Sequence, residues 1–142
     1  MNNTEIKLKI GEKSYELVKD CSSEICQRVF NKLPLIGEVI NVQGEIFFTV
    51  DLNIPYSLDD AKDEFEIGDV AYWISPDGSM KAIALFYGNT VYKDGTKPRA
   101  YSRCIKIASL KNIDPAELID IKDNTAISLL KGWNMLVDGW WL

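Results

Sequence analysis

The residues that could take part in catalysis are few in this sequence, because it contains no histidine. Histidine is the commonest general base near neutral pH, and its absence removes Ser–His and Cys–His nucleophiles and nearly all catalytic zinc sites. Ser102 therefore has no histidine to activate its hydroxyl. The acidic residues between positions 59 and 69 lack the spacing of a calcium-binding loop. We expect no metal and no cofactor.

Aromatic side chains and one arginine are the candidates for a ligand-binding site. Neighbouring residues of a strand point to opposite faces. A given surface can therefore be lined by at most one residue of the pair Tyr72 and Trp73. The same holds for the pair Phe86 and Tyr87. The inward member of each pair can instead belong to the core. Arg99 could bind a carboxylate or a peptide carbonyl, or pair with the acidic stretch. The candidate ligand-binding residues are Phe47, Tyr72, Trp73, Phe86, Tyr87 and Arg99.

The cysteines bear on the cellular compartment. The sequence contains an odd number of cysteines, namely Cys21, Cys26 and Cys104. No two of them have CxxC spacing. Residues 1–9 are polar and charged, unlike a signal peptide, and no apolar run is long enough to cross a bilayer. We expect a cytoplasmic protein with reduced thiols. We then interpret Cys104 as a small core residue. Cys21 lies just before a helix, where a thiolate is favoured, and is a candidate for a reactive thiol.

Length and charge exclude several classes of protein. The chain has 142 residues, which favours one domain, and a net charge of −5, which argues against general nucleic-acid or anionic-membrane binding. Residues 59–69 contain six acids against Lys62, and residues 93–111 contain six bases against Asp94. We interpret both stretches as solvated faces, with a partner site as the alternative.

The strand pattern is centred on a predicted hairpin. Residues 69–74 and 81–87 are rich in strand-forming side chains, and Ser75-Pro76-Asp77-Gly78-Ser79 joins them with turn residues. Further strands are predicted at residues 6–10, 14–18, 37–42, 46–50, 99–107 and 125–130, the last of which could instead be a helical turn.

Two helices interrupt the strands. The first begins at Ser22 or Ser23 and ends at Pro34, and the second begins with Asp114 as N-cap and Pro115 at its first position. Residues 52–60 and 89–98 are predicted to be loops. Seven or eight short strands with so little helix favour a closed or nearly closed antiparallel barrel, because closure removes edge strands.

The last eleven residues, 132–142, differ from the rest of the chain. They contain Trp133, Trp140 and Trp141, three of the four tryptophans. So much apolar surface favours burial. We therefore divide the chain into a barrel of residues 1–131 and a tryptophan-rich extension of residues 132–142. We expect the extension either to dock on its own barrel or to form a homodimer contact through its tryptophans. A membrane-surface role is the least favoured, because the extension lacks basic residues.

Several motifs together resemble one family. They are Leu33-Pro34 with Gly37, Gly44-Glu45-Ile46-Phe47-Phe48, Glu66-x-Gly68-Asp69-x-Ala71-Tyr72-Trp73, Phe86-Tyr87-Gly88 and Pro98-Arg99-Ala100-x-Ser102. From about residue 6 to residue 130 the sequence resembles the small prokaryotic cyclophilin-like proteins, which are mostly of unknown function. The resemblance implies a mainly β fold: a closed antiparallel eight-stranded barrel of the cyclophilin type, with one or two short helices closing its ends.

The isomerase chemistry of cyclophilins does not carry over at its main residue. Those enzymes place an arginine on the strand after the first helix, where it donates to the prolyl nitrogen and lowers a rotation barrier of about 20 kcal/mol. The matching strand, residues 37–42, has no arginine. Arg99 or Arg103 could supply a guanidinium from another strand. Gln43 lies near the place of a catalytic glutamine, although a turn residue explains it equally well.

These observations predict a non-catalytic binding module that holds a small molecule or an extended peptide in an aromatic cleft. A divergent peptidyl-prolyl cis-trans isomerase with a relocated arginine is the first alternative. A structural or assembly role of the tryptophan-rich extension is the second.

Overall fold

Antiparallel strands make up about half of the structure, a computed structural model that describes residues 6–21, 23–88, 90, 97–112 and 114–131. Two short helices, α1 (Glu24–Phe30) and α2 (Pro115–Leu118), and a 3₁₀ turn at Leu58–Asp60 accompany the strands. The described strands are β1 (Ile6–Ile10), β2 (Lys13–Lys19), β3 (Leu35–Glu38), β4 (Ile40–Val42), β5 (Glu45–Val50), β6 (Lys62–Glu64), β7 (Asp69–Ile74), β8 (Lys81–Phe86), β9 (Arg99–Leu110) and β10 (Ala126–Lys131).

The sheet closes into a barrel through one bent strand. Its order is β3-β10-β1-β2-β9-β7-β8-β5-β4, so its two ends, β3 and β4, are consecutive in the chain. Only Val39 separates them, and the backbone of Val39 bonds with Asn124 and Thr125. Counted as one strand, β3 and β4 complete a ring of eight, and β6 lies outside it, paired with β9. The predicted antiparallel barrel is confirmed.

Side chains alternate between the inside and the outside of the ring. The main core contains Ile46 and Phe48 of β5 and Ile83 and Leu85 of β8. The residues between them face outwards. A second, smaller apolar cluster forms on this outer side from Phe65, Ala71, Ala84, Phe86, Ala100 and Cys104, with Phe47 and Trp73 packed against it.

Helix α1 forms as its sequence predicts but is shorter. Ser23 is the N-cap, and its hydroxyl accepts from the amide of Ile25. The buried face comprises Ile25, Cys26, Val29 and Phe30. The helix ends at Phe30 with Asn31 as its cap, before Pro34. Neither helix in the described part of the chain has the length or apolar character to cross a bilayer.

Several other expectations need correction. The predicted strand at residues 37–42 starts earlier, at Leu35, and is broken at Val39 because its two halves pair with different strands. The short strand β6 was not predicted, because Lys62, Asp63 and Glu64 are all charged and show no apolar alternation.

The expectation of reduced thiols is also wrong for two of the three cysteines. Cys21 and Cys26 form a disulfide, with their Cα atoms 5.0 Å apart, that ties the end of β2 to α1. Cys104 is free and buried. The tail with Trp133, Trp140 and Trp141 and most of the loop at residues 89–98 lie outside the described residues, so the docking and dimer expectations stay predictions.

The acidic and basic stretches pair with each other. Arg99 lies 3.0 Å from Asp63, and Lys97 lies 2.7 Å from Glu66. Lys106 lies 3.2 Å from Asp69, whose side chain is almost fully buried. Breaking a pair with one buried member leaves an uncompensated charge and costs several kcal/mol. The two stretches are therefore not independent solvated faces, because they join β6, β9 and the start of β7.

Replacement of Gly37 tests the barrel closure. A Cβ atom at this position would lie 2.9 Å from Cδ2 of the buried Phe48, where β3 meets β5. We expect Gly37→Ala to lower the free energy of unfolding in urea by about 1–3 kcal/mol, the usual cost of overpacking. Gly88→Ala is the control, because its added Cβ would be 3.7 Å from the nearest atom. Equal stability of the two variants would contradict the described closure.

Candidate functional site

An apolar pocket lies on the outer face of the barrel wall. Its volume is about 300 Å³, close to the lower limit for sites that bind small organic ligands, roughly 300–1,000 Å³. Strands β4, β5, β7, β8 and β9 contribute to it. We call it the outer-wall pocket, and its lining residues are Val42, Glu45, Phe47, Trp73, Met80, Ala82, Ala84, Phe86, Ala100, Tyr101 and Cys104.

Small residues on the wall create the space. Ala84 on β8 pairs with Phe47 on β5 and with Ala71 on β7. Ala82, the next outward residue of β8, pairs with Trp73. Alanine side chains end at Cβ, so a depression remains between the aromatic rings on the neighbouring strands. The pocket is thus a consequence of the outward-facing alanines of β8, which lie between larger outward-facing aromatic side chains.

A two-stranded ribbon covers one side of this depression. It consists of β6 and the first half of β9, which pair from Lys62 with Cys104 to Glu64 with Arg99. Phe65, directly after β6, stacks on Phe86 of the wall with ring centroids 4.7 Å apart and an interplanar angle of 9°. Such stacking adds about 0.5–1.5 kcal/mol beyond area burial. It holds the ribbon against the wall.

Trp73 connects the wall to the ribbon at the pocket. Its indole Nε1–H donates to Oγ of Ser102 at 2.7 Å. Its ring also meets Tyr101 edge-to-face, with centroids 6.4 Å apart. Tyr101 is 64% exposed and Met80 43% exposed, so both lie at the mouth. Ser102, which has no activating histidine, has a structural use in orienting the indole.

Glu45 introduces the only formal charge among the described lining residues. It begins β5 and is half-buried, directly opposite Phe86. Burial raises the pKa of its carboxyl from 4.5 to about 7, because the charged form is poorly solvated there. In the described part of the chain, no hydrogen-bond donor or cation pairs with this carboxyl.

Cys104 lies beside Glu45 in the pocket. Burial, and then the charges of Glu45 and Asp63, raise the pKa of its thiol well above the usual value. The thiol is therefore protonated at neutral pH and is a poor nucleophile. Its role here is that of a small apolar residue, as the sequence predicted.

A family model described as cyclophilin-like matches residues 3–130. The chain belongs to the cyclophilin-like family. The solution structure of a hypothetical protein from Archaeoglobus fulgidus is similar to it, with a TM-score of 0.71 and 23% identity over 91% of this chain and 95% of that one. At this level of identity the likeness shows the fold alone. A comparison with curated proteins gives no significant match.

Three of the candidate residues come together in this cyclophilin-like protein. Phe47, Trp73 and Phe86 all line the outer-wall pocket. Tyr72 faces the main core instead, fully buried, and its hydroxyl donates to the carbonyl of Ile54 at 2.9 Å. Tyr87 also belongs to the core, and its hydroxyl donates to Asn41. The alternation of strands thus separates the members of each aromatic pair.

The polar candidates lie elsewhere. Arg99 pairs with Asp63 on the ribbon, and Arg103 donates to the carbonyl of Leu58 at 3.2 Å, beside a separate and more polar depression. Gln43 follows β4 in the turn before Gly44, whose φ is +80°, and lines a third depression near α2. None of these three residues lines the outer-wall pocket.

Sequence reasoning missed Glu45 and the alanines of the wall. The strand predicted at residues 46–50 leaves out Glu45, although Glu45 lies two residues before Phe47 and therefore on the same face of β5. Ala82 and Ala84 alternate with Ile83 and Leu85, a regular small-large pattern that could have indicated an outward depression. No group of three or more potential metal ligands occurs among the described residues.

Glu45→Gln tests the burial of the carboxyl. Because the pKa of Glu45 is raised in the folded state, folding binds protons between about pH 4.5 and 7, and stability is lost as the pH rises through that window. A glutamine side chain at this position stays neutral, so the variant does not lose stability in this way as the pH rises. We expect the variant to gain stability relative to the wild type across this window, by up to about 3 kcal/mol at pH 8, in urea unfolding.

The matched control is Glu38→Gln, which removes one exposed carboxylate at the end of β3. Its stability relative to the wild type should stay nearly constant over the same pH range. A pH profile of Glu45→Gln that runs parallel to the wild type would show that Glu45 titrates as an ordinary exposed acid.

Proposed function

We propose that this cyclophilin-like protein is a non-catalytic binding module whose outer-wall pocket holds a small apolar molecule or an apolar side chain of an extended peptide. The observation that carries the proposal is the pocket itself. It combines a volume of about 300 Å³ with an almost entirely apolar and aromatic lining. Sites of this composition bind ligands by burying apolar surface, and a few polar groups fix the orientation.

The rigidity of the walls supports binding. Phe86 is held by the stacked ring of Phe65, and Trp73 by its hydrogen bond to Ser102. The alanines of the wall belong to strands paired on both sides. A preformed pocket loses little conformational entropy when a ligand enters, which favours affinity.

The residues of the pocket do not favour isomerase chemistry. Catalysis of that kind requires a donor aimed at the prolyl nitrogen. Arg99 is engaged by Asp63 and Arg103 by a backbone carbonyl, and neither guanidinium lines the pocket. We therefore expect no acceleration of X-Pro isomerisation in a protease-coupled assay of the folded protein. Acceleration that is lost in Arg99→Lys or Arg103→Lys would favour the relocated-arginine alternative instead.

Filling the pocket tests the binding proposal directly. We expect neutral aromatic fragments to bind the wild type in ligand-observed NMR, and Ala84→Leu to abolish that binding because its side chain would occupy the depression. Ala126→Leu is the control, since Ala126 is exposed on β10 and does not line the pocket. Fragments that bind equally to Ala84→Leu, or that do not bind the wild type, would contradict the proposal.

A further inference from the structure

The carboxyl of Glu45 is the one feature of the outer-wall pocket that apolar packing does not explain. A carboxylate that is partly removed from water and has no partner lowers stability, because neither water nor protein compensates its charge fully. An exposed position would avoid this cost. Here the side chain lies among Val42, Phe86 and Cys104, which offer no compensating cation.

We propose that the ligand of the outer-wall pocket is a small apolar molecule that carries a protonated amine, with the carboxylate of Glu45 as its counter-ion. This inference rests on the binding function proposed above and specifies the class of ligand. It commits to a small cationic molecule, because Glu45 carries the only formal charge among the described lining residues and that charge is negative.

The aromatic rings around the pocket are suited to the same ligand. Phe47, Trp73 and Phe86 all line the pocket that Glu45 enters. The faces of aromatic rings attract cations, and aromatic surroundings are a common solution for ammonium recognition. An amine bound near Glu45 would therefore keep its apolar part against the wall.

Charged groups on the neighbouring ribbon have contacts of their own. On the ribbon, Asp63 pairs with Arg99, and the ammonium of Lys62 lies 5.3 Å from the ring centre of Phe65. On β9, Cys104 faces Glu45 as a protonated thiol. Strand β4 contributes the apolar Val42, and β8 the apolar Phe86. Burial raises the pKa of the Glu45 carboxyl to about 7, so this group changes its charge near neutral pH.

The test uses three probes of one shape: 3-phenylpropylamine, 3-phenylpropanol and 3-phenylpropanoate. At about pH 8, calorimetry or NMR titration of the wild type should show the amine binding roughly tenfold or more tightly than the alcohol, and the carboxylate least tightly. Lowering the pH to about 5 should remove most of the amine preference, because Glu45 is then protonated while the amine stays charged.

Two variants separate the inference from the proposed function. Glu45→Gln should bind the amine and the alcohol alike. Glu38→Gln should keep the amine preference, and thermal melts will confirm that both variants are folded. If the wild type binds the alcohol as tightly as the amine, or if Glu45→Gln keeps the preference, the inference is overturned while the binding function stands. If none of the three probes binds, both are overturned.

Discussion

The alternation of side chains along the strands of a closed barrel determines where a binding site can lie in this protein. The inside of the ring is filled by large apolar residues such as Phe48, Tyr72 and Leu85, which pack into one core. Space for a ligand is left on the outer wall, where β8 presents Ala82 and Ala84. Closure through the bent strand at Val39 keeps this division, because a register shift of one residue would exchange the two faces.

Ion pairs hold the strands around the pocket in place, while the alternation of side chains along the strands creates its depression. The acidic stretch of β6 is held beside β9 by the Asp63–Arg99 pair, and Lys106 of β9 meets the buried Asp69 at the start of β7. The first pair holds the two strands of the ribbon together, and the second fixes β9 to β7 of the wall. Phe65 then brings one apolar ring from the ribbon onto Phe86. The side chains that looked like two solvated faces therefore position the pocket.

Local sequence patterns predicted the elements better than the site. Strands β7 and β8 follow from their strand-forming residues, and α1 follows from its Ser23 cap and apolar spacing. The sequence could show that Tyr72 and Trp73 face opposite ways, but the assignment of inside and outside depends on closure and pairing. The disulfide between Cys21 and Cys26 depends on the approach of β2 to α1, which no sequence spacing in this chain reveals.

The most direct test of a ligand site on the outer wall is to locate the ligand. An ¹H–¹⁵N correlation spectrum of the protein, titrated with the tightest-binding aromatic fragment, reports which backbone amides and which indole N–H respond. We expect the largest shifts at Glu45, Ala84 and the indole of Trp73, all of which belong to the outer-wall pocket. Shifts centred instead on Arg103 and Tyr56, which border the more polar depression, would contradict the assignment of the pocket as the binding site.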